Sequence, residues 1–210
     1  MIYLSGRLQA AKTGLRPDIG IMLGYRGAVG RNSHGRGGLA KVMWAADNGC
    51  FTSPDLNVGA YLKWLGSLSQ FRETCLFAVA PDVVADARAT WERSREVLPR
   101  IRAIGFAAAF VAQDGIEDEQ INWDSFDCLF IGGSTEWKLS TNTHWLCREA
   151  IAQGKWVHMG RVNSFRRLLQ ARFAGCHSCD GTQLAFAPDK RLAQLERWLD
   201  WMKIQPTLDF

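Results

Sequence analysis

The sequence predicts an α/β protein, a compact (β/α)8 TIM-like barrel. Three observations point to it: eight short apolar runs suited to buried parallel strands, helical stripes between most of them, and polar residues where the strands end. At 210 residues the chain lies near the small end of the size range of this fold. An open, doubly wound sheet is the alternative, because it uses the same alternation of strands and helices.

The predicted strands cover residues 2–5, 19–23, 42–46, 76–80, 107–112, 128–131, 156–159 and 175–179. Apolar residues at helical spacing predict helices over 58–68, 87–101 and 192–202. Joints rich in Ser, Thr, Asn and Asp, at 53–55 and 140–142, supply helix start signals. Irregularity is expected at the first two strands, because their connection is short and a glycine-rich loop replaces the helix after the second.

Composition indicates a single globular domain over residues 1–210. Hydrophobic residues make up 47% and charged residues 22% of the chain, which is typical of a folded rather than a disordered protein. The sequence contains no apolar run of about 18 residues, the length that a membrane span needs, and its first residues lack the pattern of a secretory signal. We therefore expect a cytoplasmic protein with six free cysteines.

Positive charge is concentrated near the N-terminus. Residues 1–41 hold seven basic residues and one acidic residue, whereas the remainder holds 18 basic and 20 acidic residues. The densest part is a glycine-rich loop at 24–41, whose glycines disfavour regular structure and whose arginines suit phosphate contacts. A solvated loop with no partner is the alternative. The residues expected to bind nucleic acid, here and later in the chain, are Arg26, Arg31, Arg36, Arg161 and Arg166.

Polar residues follow six consecutive predicted strands, which is where barrel enzymes keep their active sites. Three of them are the carboxylates Asp47, Asp82 and Asp180, and Gln113 adds an amide. Because these strand ends meet at one rim of a barrel, we expect the side chains to surround one site. For any single strand end, ordinary turn chemistry is the alternative, since tight turns also favour Asp, Asn and Gly.

Several acids at one rim permit a division of labour. One carboxylate can attack a sugar anomeric carbon while a second carries a proton to or from a base, provided that their surroundings separate their pKa values. Gln113 and the backbone amides of Gly132 and Gly133 are donors of the kind that read a purine edge. Phe51 and Met159 can sandwich a flat ring, with ordinary core packing as the alternative for both.

Taken in order, these segments resemble the tRNA-guanine transglycosylase superfamily, whose enzymes exchange guanine for a 7-deazaguanine. Residues 47–51 (Asp-Asn-Gly-Cys-Phe) are similar to the family's Asp-Ser-Gly-Gly-Phe segment, and residues 112–115 (Ala-Gln-Asp-Gly) to its Val-Gln-Gly-Gly segment. Later loops of the family are resembled by three further segments: the glycine pair before Glu136, the Met-Gly pair at 159–160, and the aspartate of Cys-Asp-Gly at 179–181. The resemblance covers residues 42–186.

The resemblance implies a role for each matched residue. Asp180 would be the covalent nucleophile and Asp47 the general acid and base. The residues that would hold the purine are Phe51, Asp82, Gln113, Gly132, Gly133 and Met159. The implied reaction is base exchange through an aspartyl–sugar ester, with a free 7-deazaguanine such as the 7-cyano form as second substrate. It requires no cofactor and no metal.

Two departures from the tRNA enzymes favour DNA as the substrate. The chain lacks the family's Cys-x-Cys-x-x-Cys segment after the nucleophile strand, and it is far shorter than the tRNA enzymes. Both features resemble the compact 7-deazaguanine DNA transglycosylases of phages and bacterial genomic islands. The remaining cluster, Cys176, His177 and Cys179, is expected to supply buried strand thiols rather than a zinc site, because such closely spaced ligands rarely close a tetrahedron.

Other functions stay open on the sequence alone. The acceptor can be tRNA instead of DNA. The protein can be a non-catalytic nucleic-acid-binding barrel whose acids are turn residues, or a glycoside hydrolase or other barrel enzyme acting on a small phosphorylated substrate. The sequence also leaves open whether the active unit is a homodimer and whether a partner protein opens the duplex.

Overall fold

Eight parallel strands close into a barrel in the computed structural model, which describes residues 1–6, 16–25, 36–185 and 188–204. Consecutive strands pair with each other, and a ladder between the first and the last strand closes the sheet. The (β/α)8 prediction is confirmed, and the open sheet is excluded. The strands are β1 (Ile2–Ser5), β2 (Ile19–Gly24), β3 (Trp44–Asp47), β4 (Cys75–Val79), β5 (Ala108–Ala112), β6 (Cys128–Ile131), β7 (Trp156–Met159) and β8 (Ser178–Gly181).

Helices cover the outside of the sheet between most strands. They are α1 (Val58–Gly66), α2 (Ala87–Ser94), α3 (Leu98–Ile104), α4 (Thr135–Lys138), α5 (Thr141–Ala152), α6 (Phe165–Phe173) and α7 (Pro188–Ile204). Short 3-10 helices at Ile116–Asp118 and Trp123–Ser125 connect β5 to β6. Ser140 caps α5 by accepting the backbone N–H of Thr143, as the start signal at 140–142 predicts. In the part of the chain that the structure describes, no helix is both long enough and apolar enough to span a membrane.

Successive residues of each strand face opposite sides of the sheet, and this alternation produces two cores. The inner core fills the barrel around its axis, with Leu4, Met22, Ala45, Phe77, Val79, Ala109, Val111 and Cys128 buried in it. The outer core packs the other faces of the strands against the helices, and it includes Trp44, Ala46, Phe110, Leu129 and Met159. A side chain at a strand end therefore faces either the barrel axis or the helices, according to its register.

The predicted strands agree with the observed ones except at their ends, and β8 differs most. The prediction was 175–179, whereas β8 is Ser178–Gly181. The difference arises because Gly175 has φ of 83° and follows the end of α6, so it turns the chain out of that helix before the strand begins. Asp180 consequently lies within the last strand rather than after it.

The helix predicted over 87–101 is in fact two helices, α2 and α3. Pro99 lies in the first turn of α3. A proline fits this position, where its missing N–H would have no partner, but it would break a helix that continued through it.

The expected irregularity of the first two strands is not found. β1 and β2 pair in regular register from Tyr3 opposite Ile19 to Ser5 opposite Ile21. The register shifts instead between β3 and β4, next to Trp44. A parallel ladder needs only matched strands, and a short connection between them does not disturb it.

The basic, glycine-rich loop is described only at its two ends. Residues 26–35, with Arg26 and Arg31, lie outside the described residues. Arg36–Lys41 forms a 3-10 helix, contrary to the expectation that 24–41 lacks regular structure. Leu39 explains the difference, because its side chain is buried and its carbonyl accepts the Thr74 hydroxyl at 2.7 Å.

An ion-pair network joins α7 to the segment before β2. The carboxylate of Asp18 pairs with Arg16 at 2.9 Å and with Lys203 at 2.7 Å, and Arg16 also pairs with Asp200 at 2.7 Å. Burial opposes ionisation of Asp18, but the two cations outweigh it and lower the pKa of this carboxyl to about 2. The network anchors the last helix to the barrel.

Candidate active site

A cavity of about 520 Å³ opens at the carboxyl end of the barrel, within the size range of small-ligand sites. Inward-facing residues at the strand ends line it. Of the residues singled out from the sequence, the lining includes Asp47, Phe51, Asp82, Gln113, Gly132, Gly133, Arg161 and Asp180. Three carboxylates that are far apart in the chain therefore share one cavity.

Asp180 is held by two hydrogen-bond donors. Its Oδ1 lies 3.0 Å from His158 Nε2, and its Oδ2 accepts the backbone N–H of Arg161 at 3.3 Å. The Asp180 side chain is 20% exposed, so one part of the carboxylate still faces the cavity. A carboxylate fixed in this way and open to the cavity is placed to act as a nucleophile.

Asp47 has different surroundings. Burial raises the pKa of this carboxyl to about 6, and the negative charges of Asp180 and Asp82 act in the same direction. Backbone N–H groups oppose the shift only partly; that of Gly49 lies 3.3 Å from Oδ1. A carboxyl group with a pKa close to neutrality can both give and take a proton, which suits a general acid and base.

Asp82 lies at the centre of a hydrogen-bonded network. Its Oδ1 accepts from Asn48 Nδ2 at 2.9 Å, and its Oδ2 accepts from Gln113 Nε2 at 2.7 Å. Gln113 Oε1 in turn accepts the backbone N–H groups of Ala85 and Gly133, at 2.9 and 2.8 Å. Burial raises the pKa of Asp82. Each carboxylate oxygen accepts two bonds and an amide nitrogen donates two, so Asp82 and Gln113 retain capacity for a ligand.

Gly132 and Gly133 line the cavity, but the role predicted for their amides is wrong. The N–H of Gly132 donates to the carbonyl of Ala112 at 2.9 Å, and the N–H of Gly133 donates to Gln113. Neither is free to read a purine. The missing side chains matter instead, because a Cβ on Gly132 would lie 3.0 Å from Gln113 Nε2 and closer still to Val111. Gly132 therefore leaves room for Gln113 at the cavity wall, and Gly133 leaves room for the side chains of Trp137 and Asp114.

Met159 does not lie beneath the expected ring, and this prediction is also wrong. Its side chain is completely buried in the outer core, on the helix side of the sheet. The alternation along β7 explains the error: Gly160 lines the cavity, so the preceding residue faces away from it. The floor of the cavity near β7 is instead formed with Phe130, whose ring a Cβ on Gly160 would contact at 2.7 Å.

Phe51 and Arg161 form a pair at the mouth of the cavity. The guanidinium of Arg161 lies 4.9 Å from the centroid of the Phe51 ring and also donates to the carbonyl of Gly133. Arg161 adopts φ of 59°, a backbone conformation that only glycine adopts readily. Phe51 is 61% exposed, so one face of its ring is accessible to a planar ligand.

Lys138 holds the loop after β7 through a buried hydrogen bond. This side chain is buried, and its Nζ donates to the carbonyl of Gly160 at 2.6 Å. Burial, together with the positive charge of Arg161, lowers the pKa of Lys138 to about 7. The loop that carries Arg161 is therefore held by a group whose charge changes near neutral pH.

Of the other arginines expected to bind nucleic acid, Arg166 is the one whose side chain the structure describes, and it is not part of the described cavity lining. Arg166 is exposed in the first turn of α6. Helices of a barrel run antiparallel to its strands, so this turn lies toward the carboxyl end, on the side of the cavity. Arg36 begins a 3-10 helix, and Arg26 and Arg31 fall outside the described part of the chain.

Sequence reasoning missed three polar residues that support the site: Asn48, His158 and Ser178. Asn48 bridges Asp82 and the carbonyl of Ala80. His158 contacts Asp180 directly, and Ser178 Oγ lies 2.8 Å from its other ring nitrogen. The alternation of the strands contained the signal, because His158 and Ser178 each lie two residues before a residue that lines the cavity, Gly160 or Asp180.

The cysteine cluster does not form a common site. Cys179 is buried in the outer core, whereas His177 Nδ1 accepts the backbone N–H of Val157 at 2.9 Å and its ring stacks on Trp156. Cys176 lies beside Cys147 of α5. Among the described residues, no group of three potential ligands is arranged to hold a metal ion.

Comparisons with known proteins bear on the fold. No model of a protein family matches the sequence, and no curated protein matches it. The solved structure of native KDPGal is similar, with a TM-score of 0.54 and 13% identity over 97% of this chain and 95% of that chain. Dihydrodipicolinate synthase from Bacillus clausii has a TM-score of 0.47 and 8% identity over 80% of this chain and 57% of that chain. At such identities the first likeness supports the barrel fold and nothing about the chemistry, and the second is too distant to add to it.

Proposed function

We propose that this protein is a glycosyltransferase that exchanges guanine in DNA for a 7-deazaguanine base. The observation that carries the proposal is that Asp47, Asp82 and Asp180 line one cavity, in which the carboxyl groups of Asp47 and Asp180 have unlike surroundings. Unlike surroundings separate the acid–base role from the nucleophilic role. The resemblance of residues 42–186 to the transglycosylases assigns the same roles to the same aspartates.

Binding requires the target nucleotide to leave the base stack, which costs a few kcal/mol. In the cavity, Asp82 accepts hydrogen bonds from N–H groups of the purine, and Gln113 donates to acceptor atoms of the purine. The hydrogen-bonded network around Asp82 and Gln113 holds both side chains in place for these contacts. The exposed ring of Phe51 stacks on the base at the mouth of the cavity. These groups recognise a purine edge that guanine and a 7-deazaguanine have in common.

The first half-reaction transfers the sugar to the enzyme. A carboxylate oxygen of Asp180 forms a bond to C1′ while the bond between C1′ and N9 of guanine breaks, and the electron pair goes to N9. The protonated carboxyl of Asp47 supplies a proton to the departing base. The products are neutral guanine, an ionised Asp47 and an aspartyl–sugar ester.

The second half-reaction uses the same groups in reverse. A 7-deazaguanine enters the cavity and gives its N9 proton to Asp47. N9 then attacks C1′, the bond between C1′ and the Asp180 oxygen breaks, and the carboxylate is regenerated. Two displacements at C1′ give net retention of configuration. Both protons pass through Asp47, so the cycle needs no external acid or base.

DNA is chosen over tRNA on the evidence of the sequence. The segment that follows β8 does not contain the Cys-x-Cys-x-x-Cys pattern of the tRNA enzymes, and the match is to the compact DNA branch. Two basic side chains near the mouth, the half-buried Arg161 and the exposed Arg166, suit the phosphates of either polymer. These side chains give no preference between the two polymers, so the experiment below offers the protein both.

The test is transfer of labelled guanine into nucleic acid by the wild-type protein, Asp180→Ala and Asp124→Ala. Asp124 is an exposed carboxylate outside the cavity and serves as the matched control. We expect label in DNA and a covalent adduct on a denaturing gel for wild type and Asp124→Ala, and neither for Asp180→Ala. Full activity of Asp180→Ala would reject the nucleophile. Label in tRNA alone would replace DNA by tRNA, and salt-sensitive binding without adduct or exchange would indicate a non-catalytic binding protein.

A further inference from the structure

A column of polar side chains runs through the barrel interior behind Asp180. The indole Nε1 of Trp156, at the start of β7, donates to Ser178 Oγ at 2.8 Å. Ser178 Oγ lies 2.8 Å from His158 Nδ1, and His158 Nε2 lies 3.0 Å from Asp180 Oδ1. The ladder between β7 and β8 pairs His158 with Ser178, which explains why these side chains meet. Barrel interiors are usually filled by branched apolar residues, so this column departs from the general pattern.

The column fixes which nitrogen of His158 carries the proton. An indole N–H can only donate, so Ser178 Oγ accepts from Trp156 and has its own proton to give. The acceptor within reach of that proton is His158 Nδ1. Nδ1 is then unprotonated, the proton of the neutral ring is on Nε2, and Nε2–H donates to Asp180.

The surroundings of His158 favour the neutral ring. The side chain is fully buried, and the rings of Phe130 and Phe77 lie 4.5 and 5.0 Å from it between centroids. Burial lowers the pKa of His158 more than the hydrogen bond with Asp180 raises it, and the charge of Lys138 also acts to lower it. The ring therefore donates a hydrogen bond without adding a positive charge.

We infer that His158 is a positioning residue for the nucleophile, and that Ser178 and Trp156 hold it in the Nε2–H tautomer. The kinetic part of this inference rests on the proposed function; the tautomer does not. A neutral donor on Oδ1, together with the Arg161 N–H on Oδ2, sets the rotation of the Asp180 carboxylate. A cationic donor would pair with the negative charge that attacks C1′. The neutral ring orients the nucleophile and leaves its charge available.

The first experiment reads the tautomer directly, without any substrate. Only four histidines are present in the chain, so long-range nitrogen–proton NMR spectra can resolve them, with the His158→Gln spectrum identifying the signal of His158. We expect a protonated Nε2 and an unprotonated Nδ1 in the wild type at pH 7. In Ser178→Ala the Nδ1 signal should move, because this nitrogen loses its hydrogen-bond donor. A ring protonated on Nδ1 in the wild type would overturn the inference, whatever reaction the protein catalyses.

The second experiment compares base exchange by three variants of the column. In His158→Leu the carboxylate is free to rotate, and we expect kcat to fall about 100-fold with little change in the KM for the free base. Ser178→Ala should cost about 10-fold in kcat. His158→Gln keeps an N–H at the position of Nε2 and a carbonyl for Ser178, so it should regain most of the loss. Thermal unfolding of each variant shows whether it is folded.

The outcomes separate this inference from the proposed function. A folded His158→Leu protein that exchanges bases at the wild-type rate would overturn the positioning role. If His158→Leu fails to fold, Ser178→Ala and His158→Gln test the positioning role instead. Equal losses of kcat in these two variants would contradict the role. A rise in KM without a fall in kcat would also contradict it. A wild-type protein that exchanges no base, but whose His158 is protonated on Nε2 and whose Nδ1 signal moves in Ser178→Ala, would reject the proposed function and leave the arrangement around Asp180 supported.

Discussion

Asp47 and Asp180 are the same residue type with different neighbours, and the proposed roles follow from those neighbours. Asp180 has a neutral imidazole and a backbone N–H on its two oxygens, whereas Asp47 is weakly bonded and faces two other carboxylates across the cavity. The sequence predicted both residues, because polar residues after apolar strands are easy to recognise. It could not predict their unequal surroundings, which depend on His158 and on burial by distant strands.

Under the proposed function, the pKa of Asp47, which is about 6, predicts opposite pH responses of the two half-reactions. Departure of guanine needs the protonated carboxyl, so the single-turnover rate of adduct formation should fall as pH rises through about 6. Attack by the incoming base needs the ionised carboxylate, so its rate should rise over the same interval. Rapid-quench measurements from pH 5 to pH 8 check both. In Asp47→Asn both responses should vanish; if either persists there, another group carries the proton.

Gly133 provides a prediction about stability. It adopts φ of 58°, and a Cβ there would lie 2.8 Å from Asp114 Oδ2 and closer to the ring of Trp137. We expect Gly133→Ala to lower the free energy of unfolding by about 2–4 kcal/mol, the sum of backbone strain and overpacking. Gly154 is the matched control, because it has φ of 71° but open space around it, so its alanine variant should lose only about 1 kcal/mol. Urea unfolding measures both, and equal losses would show that packing at Gly133 contributes nothing.

At the scale of elements, sequence patterns predicted which segments form strands and were less accurate about where each one begins. Apolar runs identify buried strands, but β8 begins three residues after its predicted start, because Gly175, with φ of 83°, still belongs to the turn that ends α6. The prediction also missed the division between α2 and α3, which Pro99 indicates because it lies in the first turn of α3. The error at Met159 is also one of position along a strand. An offset of one residue along β7 moves a side chain from the cavity to the outer core.

The ion pairs of Asp18 are expected to stabilise the attachment of α7 in a pH-dependent way. The folded pKa of about 2 is below the unfolded value of about 3.9, so this stabilisation is fully present above about pH 4 and is lost as pH falls toward 2. Asp18→Asn should lower the free energy of unfolding by about 2 kcal/mol at pH 7. The loss should be smaller at pH 3. Asp200→Asn, at an exposed partner of Arg16, should cost less at pH 7. A loss from Asp18→Asn that is the same at both pH values would rule out the ion pairs as its cause.

At the scale of the whole molecule, closure of the barrel is what brings the site together. The pairing of β1 with β8 joins the first and the last strand, and it places Asp180 beside Leu4 in the ladder. No local pattern in the sequence encodes such a long-range pairing, so the alternation of strands and helices predicted the fold class but could not exclude an open sheet. The prediction that the strand ends converge depended entirely on this closure.

The distribution of positive charge predicts how binding to nucleic acid depends on salt. If Arg166 contacts one phosphate, Arg166→Ala should reduce the slope of log affinity against log salt concentration by about 0.9, without a preference for particular sequences. Lys63 is exposed in the last turn of α1, toward the opposite end of the barrel, and Lys63→Ala should leave the slope unchanged. Fluorescence anisotropy with a DNA oligonucleotide at several salt concentrations measures this. Identical slopes for wild type and Arg166→Ala would remove this residue from the interface.

Asp82 and Gln113 are hydrogen-bonded to each other and line the same cavity, so under the proposed function they form a single set of contacts for a purine. Under the proposed function, the outgoing and incoming bases cannot be bound together, so they occupy the enzyme by turns in a double-displacement cycle. Released guanine then competes with its replacement for the glycosylated enzyme, and the extent of modification follows the relative supply of the two free nucleobases.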